Sequence, residues 1–285
     1  MSLNASDLRA ASLFSLQGKT AVLTGASGFL GRTFARALLA NGARVVALAR
    51  SSRLDTEAGK WANEFGEDKI SIHRIDMYDL SALAAILQRI AAEEKSIDVL
   101  VNNAHELGSA TGFNVPEGAF ELAGMETWMR NLTGGVYWAA LTTQKLGAKM
   151  KEQRSGSIIN ISTMYALVAP RPQLYEGTDF INPPGYSASK AALLSFTRYV
   201  ASFWGQQGVR ANAILPGPFS NTEDVAGANS VSPGSPFLER LGNYTCLGRT
   251  GRPDELAGAL LFLASDASSF MTGQGVVVDG GWTAV

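Results

Sequence analysis

Tyr186 and Lys190 stand four residues apart in PPGYSASKAALLSF, residues 183–196, behind a proline pair and at the head of an alanine-rich run. At i and i+4 two side chains share one face of a helix, so an ammonium can lie beside a phenol and favour its ionised form. An unperturbed tyrosine titrates near ~10, too high for efficient proton transfer at neutrality, and a catalytic tyrosine needs such a neighbour. The same spacing also decorates ordinary exposed helix faces. Context has to decide between the two.

A second stretch, TAVLTGASGFLGRTFARALLANG (residues 20–42), reads as a strand, a glycine-rich turn and a helix. Gly25, Gly28 and Gly31 allow backbone to approach a pyrophosphate at the positive end of that helix, where unpaired N–H groups favour anions. Taken alone the pattern also fits a tight strand-to-helix turn; at the head of an alternating α/β chain it points to dinucleotide binding. The end of the next strand discriminates between cofactors. An acidic residue there binds the ribose hydroxyls of NAD, whereas arginine suits the 2′-phosphate of NADP. VVALARSSRLD (45–55) offers Ala49, Arg50, Ser51, Ser52 and Arg53 before any carboxylate, which favours NADP(H) and leaves NAD(H) possible. Asp76, past the third apolar run, suits the adenine amine or a turn before the next helix.

Elements that could position these groups alternate along the chain. Short apolar runs at 20–24, 43–49, 70–75, 97–103, 156–162, 209–215 and 275–280 predict seven strands; helical patterns fall near 29–41, 56–65, 79–94, 126–153, 186–206 and 253–264. The expected fold is α/β: a Rossmann-type doubly wound parallel sheet of about seven strands in a three-layer α/β/α arrangement, with residues 1–285 as a single domain. Two stretches rich in Pro and Gly, 163–185 and 216–246, interrupt the rhythm and predict loops beside the site. The 24 Lys and Arg balance 25 Asp and Glu without runs of either sign, which excludes a nucleic-acid footprint. Cys246 is the only cysteine, ruling out an internal disulfide, and no apolar run approaches membrane-spanning length. A cytoplasmic protein with small-molecule partners, or copies of itself, is expected.

Seven stretches in order make the sequence resemble the short-chain dehydrogenase/reductase family, in its standard-length branch, over about residues 17–283: TGASGFLG (24–31), NNAH (102–105), RNLTGGVYW (130–138), SIINIS (157–162), YSASK (186–190), VRANAILPG (209–217) and MTGQGVVVDGG (271–281). The resemblance implies that Tyr186 is the general acid/base and that Lys190 lowers its pKa and holds the nicotinamide ribose. It implies further that Ser162 positions the substrate oxygen and that Asn131 anchors a water leading from Lys190 to solvent. Cofactor contacts carried over the same way are Gly25, Ser27, Gly28, Phe29, Leu30, Arg50, Ser51, Asp76, Met77, Asn103, Ala104, Tyr186, Lys190, Pro216, Gly217 and Thr222. Asn102 and Ala104 are expected on the cofactor side, with Asn103 tying strands together. No metal is implied. Carbonyl reduction needs a hydroxyl donor and a positioned acid converging on one oxygen, and strand ends of α/β sheets are where such groups meet ligands.

Departures from the family pattern are the bulky Phe29 in a T-G-x-x-G-x-x-G loop and His105 where NNAG has glycine, a contact to ligand or a packed or solvated imidazole. Ser220, Asn221 or Thr222 takes the place of the threonine that binds the carboxamide. The Ser162–Tyr186 interval is longer than the family's usual one, and its Arg171, Tyr175, Glu176, Thr178 and Asp179 suit a hydroxylated ligand, unless the loop packs on another subunit. ALVAP, LYEGT and NPPGYSASK in the same region also look like a subgroup associated with flagellin modification and surface sugars. The leading expectation is an NAD(P)(H)-dependent oxidoreductase interconverting an alcohol and a carbonyl on a sugar-like or other polar hydroxylated substrate. A reductase of acyl or cyclic ketones, served by Val225, Phe237 and Leu238, is the alternative; a cofactor-sensing or interaction module that kept the fold is the non-enzyme one. The resemblance also implies a homo-oligomer, tetramer or dimer, pairing through the helices near 126–153 and 186–206.

Overall fold

Every apolar run forms a strand, and every strand lies parallel to its neighbours. A computed structural model describes residues 8–222 and 230–285. In chain order the regular elements are α1 (Ala10–Leu13), β1 (Thr20–Thr24), α2 (Phe29–Ala40), β2 (Arg44–Ala49), α3 (Arg53–Phe65), β3 (Ile70–Arg74), α4 (Leu80–Glu93), β4 (Val99–Asn102), α5 (Met125–Leu132), α6 (Trp138–Gln153), β5 (Gly156–Ile161), α7 (Pro184–Trp204), β6 (Val209–Pro216), α8 (Pro236–Asn243), α9 (Ala257–Ala264) and β7 (Gly275–Val278). The seven strands make one sheet in the order β3-β2-β1-β4-β5-β6-β7. Strand order therefore reverses between β1 and β4, which pair from Ala21 opposite Val99 to Leu23 opposite Val101. Chains leaving these two strands diverge to opposite faces and open a crevice at the carboxyl edge.

Alternation along the strands builds a core on each face. Ala21, Leu23, Val45, Val99 and Ile159 pack with Phe34 and Leu38 of α2, Trp61 of α3 and Leu260 and Leu263 of α9. Val22, Val46, Leu100 and Ile158 pack on the other face with Leu83 and Leu87 of α4, Leu146 of α6 and Val200 of α7. Within the second face lies a polar strip. Asn102 Nδ2 donates to Asn160 Oδ1 at 2.8 Å, Asn160 Nδ2 donates to Thr197 Oγ1 at 2.8 Å, and Thr142 Oγ1 donates to Asn102 Oδ1 at 2.5 Å. Asn102 is therefore spent on joining β4, β5 and the covering helices; contrary to expectation, it does not line the cofactor side.

Three other expectations are corrected. The predicted helix over 126–153 is two α-helices joined by a wide π-turn, Thr133–Tyr137, of a kind that concentrates at functional sites. Helix α7 starts at Pro184, two residues before the expected start, because proline at the first helical position gives up no needed N–H. The stretch 216–246 is not irregular throughout: Ser235 caps α8 and accepts from Leu238 N at 3.4 Å. Phe237 of α8 stacks on Phe180 with ring centroids 4.2 Å apart, inside a cluster with Met164, Leu174, Leu238 and Trp282. The two loops thus close on each other, and Phe237 and Leu238 are consumed there; Val225 lies outside the described residues. Among the described residues no helix is long and apolar enough to cross a membrane.

Replacing Asn160 by alanine removes the 2.8 Å acceptor of Asn102 Nδ2, leaving it only Thr143 Oγ1 at 3.3 Å, and takes away the donor to Thr197 Oγ1, which keeps its bond to the Leu193 carbonyl, at a cost of about 1–3 kcal/mol. Urea unfolding of the variant should show that loss as a lower midpoint with an unchanged slope.

Candidate active site

The crevice above β1 and β4 is a cleft of about 500 Å³. Its floor is the turn after β1. Gly25 sits at φ +68°, and a Cβ there would lie 2.9 Å from Ala104 Cα; a Cβ on Gly31 would lie 2.1 Å from the Gly25 carbonyl oxygen. Gly28 caps α2 without a side chain, and the first turn of that helix holds no carboxylate. Backbone N–H groups at the helix start are left for an anion, the fit a pyrophosphate requires. Asn103 Nδ2 braces the turn, donating to the carbonyls of Thr24 at 3.0 Å and Gly25 at 3.1 Å. All the residues expected at the cofactor line this cleft except Thr222. Asn221, beside it, pairs instead with Ser230 as an isolated bridge.

Around the far wall the side chains that could do chemistry converge. Lys190, 3% exposed, donates from Nζ to the Ile161 carbonyl at 2.8 Å. Ser162 Oγ donates back to the Lys190 carbonyl at 2.9 Å. Ser162 lines the cleft, but its hydroxyl hydrogen is committed to α7. Strand phase explains why: Asn160 and Ser162, two apart, both face α7, which lies on that side of the sheet. The hydroxyl beside the Tyr186 phenol belongs to Thr163, which sequence reasoning passed over. Thr163 follows the strand end and opens a short turn, accepting from Tyr165 N at 3.4 Å. Counting the alternation from Asn160 is the signal that could have found it.

The Tyr186 ring is held between two others, edge-to-face with His105 at 5.1 Å and with Phe113 at 5.2 Å. Burial pushes its phenol up to about 12 against the opposing hydrogen bond from Thr163. Burial also pulls Lys190 down to about 7. In the protein alone the amine is thus engaged with Ile161 rather than depressing the phenol. Asn131 is wholly buried and outside the cleft wall. Its Nδ2 donates to the carbonyls of Thr111 at 2.8 Å and Thr127 at 2.9 Å, while its Oδ1 makes no bond. Gly185 at the start of α7 would place a Cβ 3.0 Å from Asn131 Cβ, so glycine is what lets α7 approach α5 this closely.

His105 is packed, not solvated. Both ring nitrogens are buried without a well-formed hydrogen bond, although the Gly134 carbonyl and the Asn131 side chain face them. Burial, then the Lys190 charge, holds the imidazole well below its usual range, so it is neutral. Its neighbour Glu106 lines the cleft and serves two arginines: Arg130 Nε at 2.6 Å and Arg50 Nη1 at 3.4 Å. Burial would raise the Glu106 carboxyl, but the hydrogen bond from Arg130 and the nearby Tyr78 hydroxyl outweigh it and hold it below the usual carboxylate value. Asp76 also lines the cleft, and its Oδ1 accepts from Tyr78 N at 3.1 Å, the turn-forming role.

The five polar residues of the 163–185 stretch expected to suit a hydroxylated ligand lie elsewhere. The Arg171 guanidinium sits 4.7 Å over the Tyr244 ring and 5.8 Å over Trp282, and donates to the Val285 carbonyl. Tyr175 meets the Tyr165 hydroxyl at 3.3 Å, and Thr178 Oγ1 donates to the Tyr175 carbonyl at 2.8 Å. Glu176 and Asp179 are exposed. None of the five lines the cleft: Arg171, Tyr175 and Thr178 hold the insertion together, and Glu176 and Asp179 face solvent.

Sheet order and cleft define a Rossmann-type oxidoreductase. The chain belongs to the short-chain dehydrogenase/reductase family: the family model described as enoyl-(acyl carrier protein) reductase matches residues 25–283. It is 35% identical to the L-rhamnose 1-dehydrogenase (NAD(P)(+)) of Azotobacter vinelandii, over 92% of this chain and 96% of that protein. It is 32% identical to the cis-4-hydroxycyclohexanecarboxylate dehydrogenase of Sinomonas cyclohexanicum, over 94% of this chain and 97% of that protein. Among solved structures it resembles a gluconate 5-dehydrogenase from Burkholderia cenocepacia in complex with NADP and tartrate, at TM-score 0.82 and 28% identity, covering 97% of this chain and 100% of that one.

Lys190 carries a pH dependence whose sign is fixed. Its amine falls from 10.5 in the unfolded chain to about 7 in the fold, so between those values the unfolded state binds the extra proton. Stability is therefore lost as pH falls from 10.5 towards 7, by up to ~1.4 kcal/mol per pH unit. Lys190→Met removes this loss. Urea midpoints of variant and parent should diverge in the variant's favour as pH drops from 10 to 7, and then run parallel.

Proposed function

We propose that the protein is an NADP(H)-preferring oxidoreductase, also able to use NAD(H), that interconverts an alcohol and a carbonyl on a sugar-like or other polyhydroxylated substrate. The observation that carries this reading is the meeting of Thr163, Tyr186 and Lys190 at the wall of a glycine-floored cleft. The nucleotide supplies the chemistry of hydride donation or acceptance. In the reducing direction Tyr186 gives its phenolic proton to the substrate oxygen as charge develops there, and Thr163 Oγ1 donates a hydrogen bond to the same atom. In the oxidising direction the phenolate takes the hydroxyl proton. That direction asks for a lower phenol pKa than burial alone sets, and an ammonium at Lys190 supplies the bias. Lys190 also offers two further N–H donors to the ribose hydroxyls, and Asn131 serves by bracing α5 beneath it and anchoring the water path to Lys190.

Arg50, on the cleft and following a β2 that ends without a carboxylate, supports the NADP(H) preference. The rhamnose and gluconate enzymes among its relatives support the substrate class. A cyclic alcohol bearing a carboxylate is the second reading, supported by the hydroxycyclohexanecarboxylate enzyme.

We further place the protein in the cytoplasm as a homo-oligomer, tetramer or dimer, associating through α7. Tyr199 and Phe203 on that helix are 57% and 61% exposed and stack on one another at 4.3 Å, an apolar pair left to solvent by the single chain. Light scattering of Tyr199→Glu with Phe203→Glu should report a smaller assembly than the parent.

For catalysis, Tyr186→Phe should bind NADPH within a fewfold of the parent and lose turnover by at least ~10³ on a panel of aldoses, polyols and hydroxycyclohexanecarboxylates. Thr163→Ala should lose ~10²-fold in kcat, and Ser162→Ala should lose stability rather than rate. Parent protein with no nucleotide-dependent turnover across the panel overturns the reading.

A further inference from the structure

Glu106 stands in the cleft wall with its carboxylate shared between two arginines of unequal hold. Arg130 is fixed. Its Nε lies 2.6 Å from Oε2, its guanidinium sits 4.0 Å over the Tyr78 ring, and the Tyr78 hydroxyl donates to the Arg130 carbonyl at 3.3 Å. Arg50 is loose: Nη1 lies 3.4 Å from Oε1, and 61% of its side chain is exposed. Glu106 itself is only 14% exposed, so its negative charge stays at this end of the cleft whichever arginine holds it.

Resting on the NADP(H) reading above, we propose that Glu106 is a specificity-determining residue for the nucleotide: it competes with the 2′-phosphate for Arg50 and so restrains the preference for NADP(H) over NAD(H). A guanidinium facing a phosphate dianion and a carboxylate monoanion pairs bidentately with the phosphate, which carries more charge. Leaving Glu106 costs Arg50 one exposed ion pair, worth at most a few-fold in affinity. Glu106 is not left bare by the exchange, because Arg130 remains on its other oxygen. NAD(H) brings no phosphate to this position, so Arg50 stays on Glu106 and nothing is exchanged. One carboxylate thereby taxes one cofactor and not the other, which gives a chain with arginine after β2 a route to using both.

Fluorescence titrations of NADPH and NADH test the proposal on the intact chain, without turnover. In Glu106→Gln the amide oxygen still accepts from Arg130 while the charge is gone. NADPH should bind two- to fivefold tighter and NADH within twofold of the parent, with the NADPH gain shrinking at high salt. Glu106→Ala should move the ratio the same way. In an Arg50→Ala background the Gln substitution should recover less than half of that gain, because the competition acts through Arg50. A ratio unchanged or shifted towards NADH overturns the proposal, and so does equal weakening of both nucleotides, which marks Glu106 as structural only. A parent protein that binds neither nucleotide refutes the cofactor reading instead, and the two failures are told apart in the first titration.

Discussion

A reciprocal pair of hydrogen bonds holds α7 to the end of β5, and the chemistry of the site depends on it. Lys190 Nζ gives a hydrogen to the Ile161 carbonyl, and Ser162 Oγ gives one to the Lys190 carbonyl. An amine with so little water around it needs an acceptor, and the last residue of a buried strand provides one without a second charge. Because both bonds involve residues at the strand end, the helix is fixed in height as well as rotation. That places Tyr186, one turn earlier, against Thr163. The Asn102–Asn160–Thr197 strip continues the same attachment towards the middle of the sheet, so strand and helix are tied along a polar line through an otherwise apolar face.

Much of this was legible beforehand. Seven strands, their parallel order and the glycine turn followed from periodicity and from Gly25, Gly28 and Gly31, since a doubly covered sheet leaves few other arrangements for short apolar runs. What was not legible was which of two adjacent hydroxyls in the cleft wall meets the Tyr186 phenol. Ser162 and Thr163 are both small and polar, and only the phase of β5 relative to α7 separates them. Asn102 and Asn103 presented the same difficulty, and there too one residue of the doublet is turned inward to the strip while the other braces the glycine turn. Neighbouring polar residues at strand ends carry no label for the side they take; packing supplies it.

The insertion before α7 misled for a different reason. Its polar residues were conspicuous, whereas the spacing of Met164, Leu174, Tyr175 and Phe180 is too irregular to reveal a core. With a partner in α8 those residues form one, and Arg171 and Thr178 follow as its hydrogen-bonding rim. His105 shows the converse. An imidazole beside a cofactor loop invites a catalytic role, yet its nitrogens are buried; Gly135 in the π-turn makes room chiefly for Ser189, whose Oγ a Cβ there would meet at 2.1 Å, and leaves His105 Cε1 at 3.3 Å.

The shared cluster of the 163–185 stretch and α8 sets the unit in which this enzyme can be recombined with its relatives. Phe180 stacks on Phe237, Arg240 Nη1 donates to the Glu176 carbonyl at 2.6 Å, and Arg171 reaches the aromatic rings of Tyr244 and Trp282. A chimera that takes either loop alone cuts through this interface and leaves half an aromatic stack facing water. Crossovers placed after Ile161 and before Tyr186, together with a matched pair around α8 and the segment of Trp282, keep it whole. In such a scaffold the two loops are inherited as a block, not one by one.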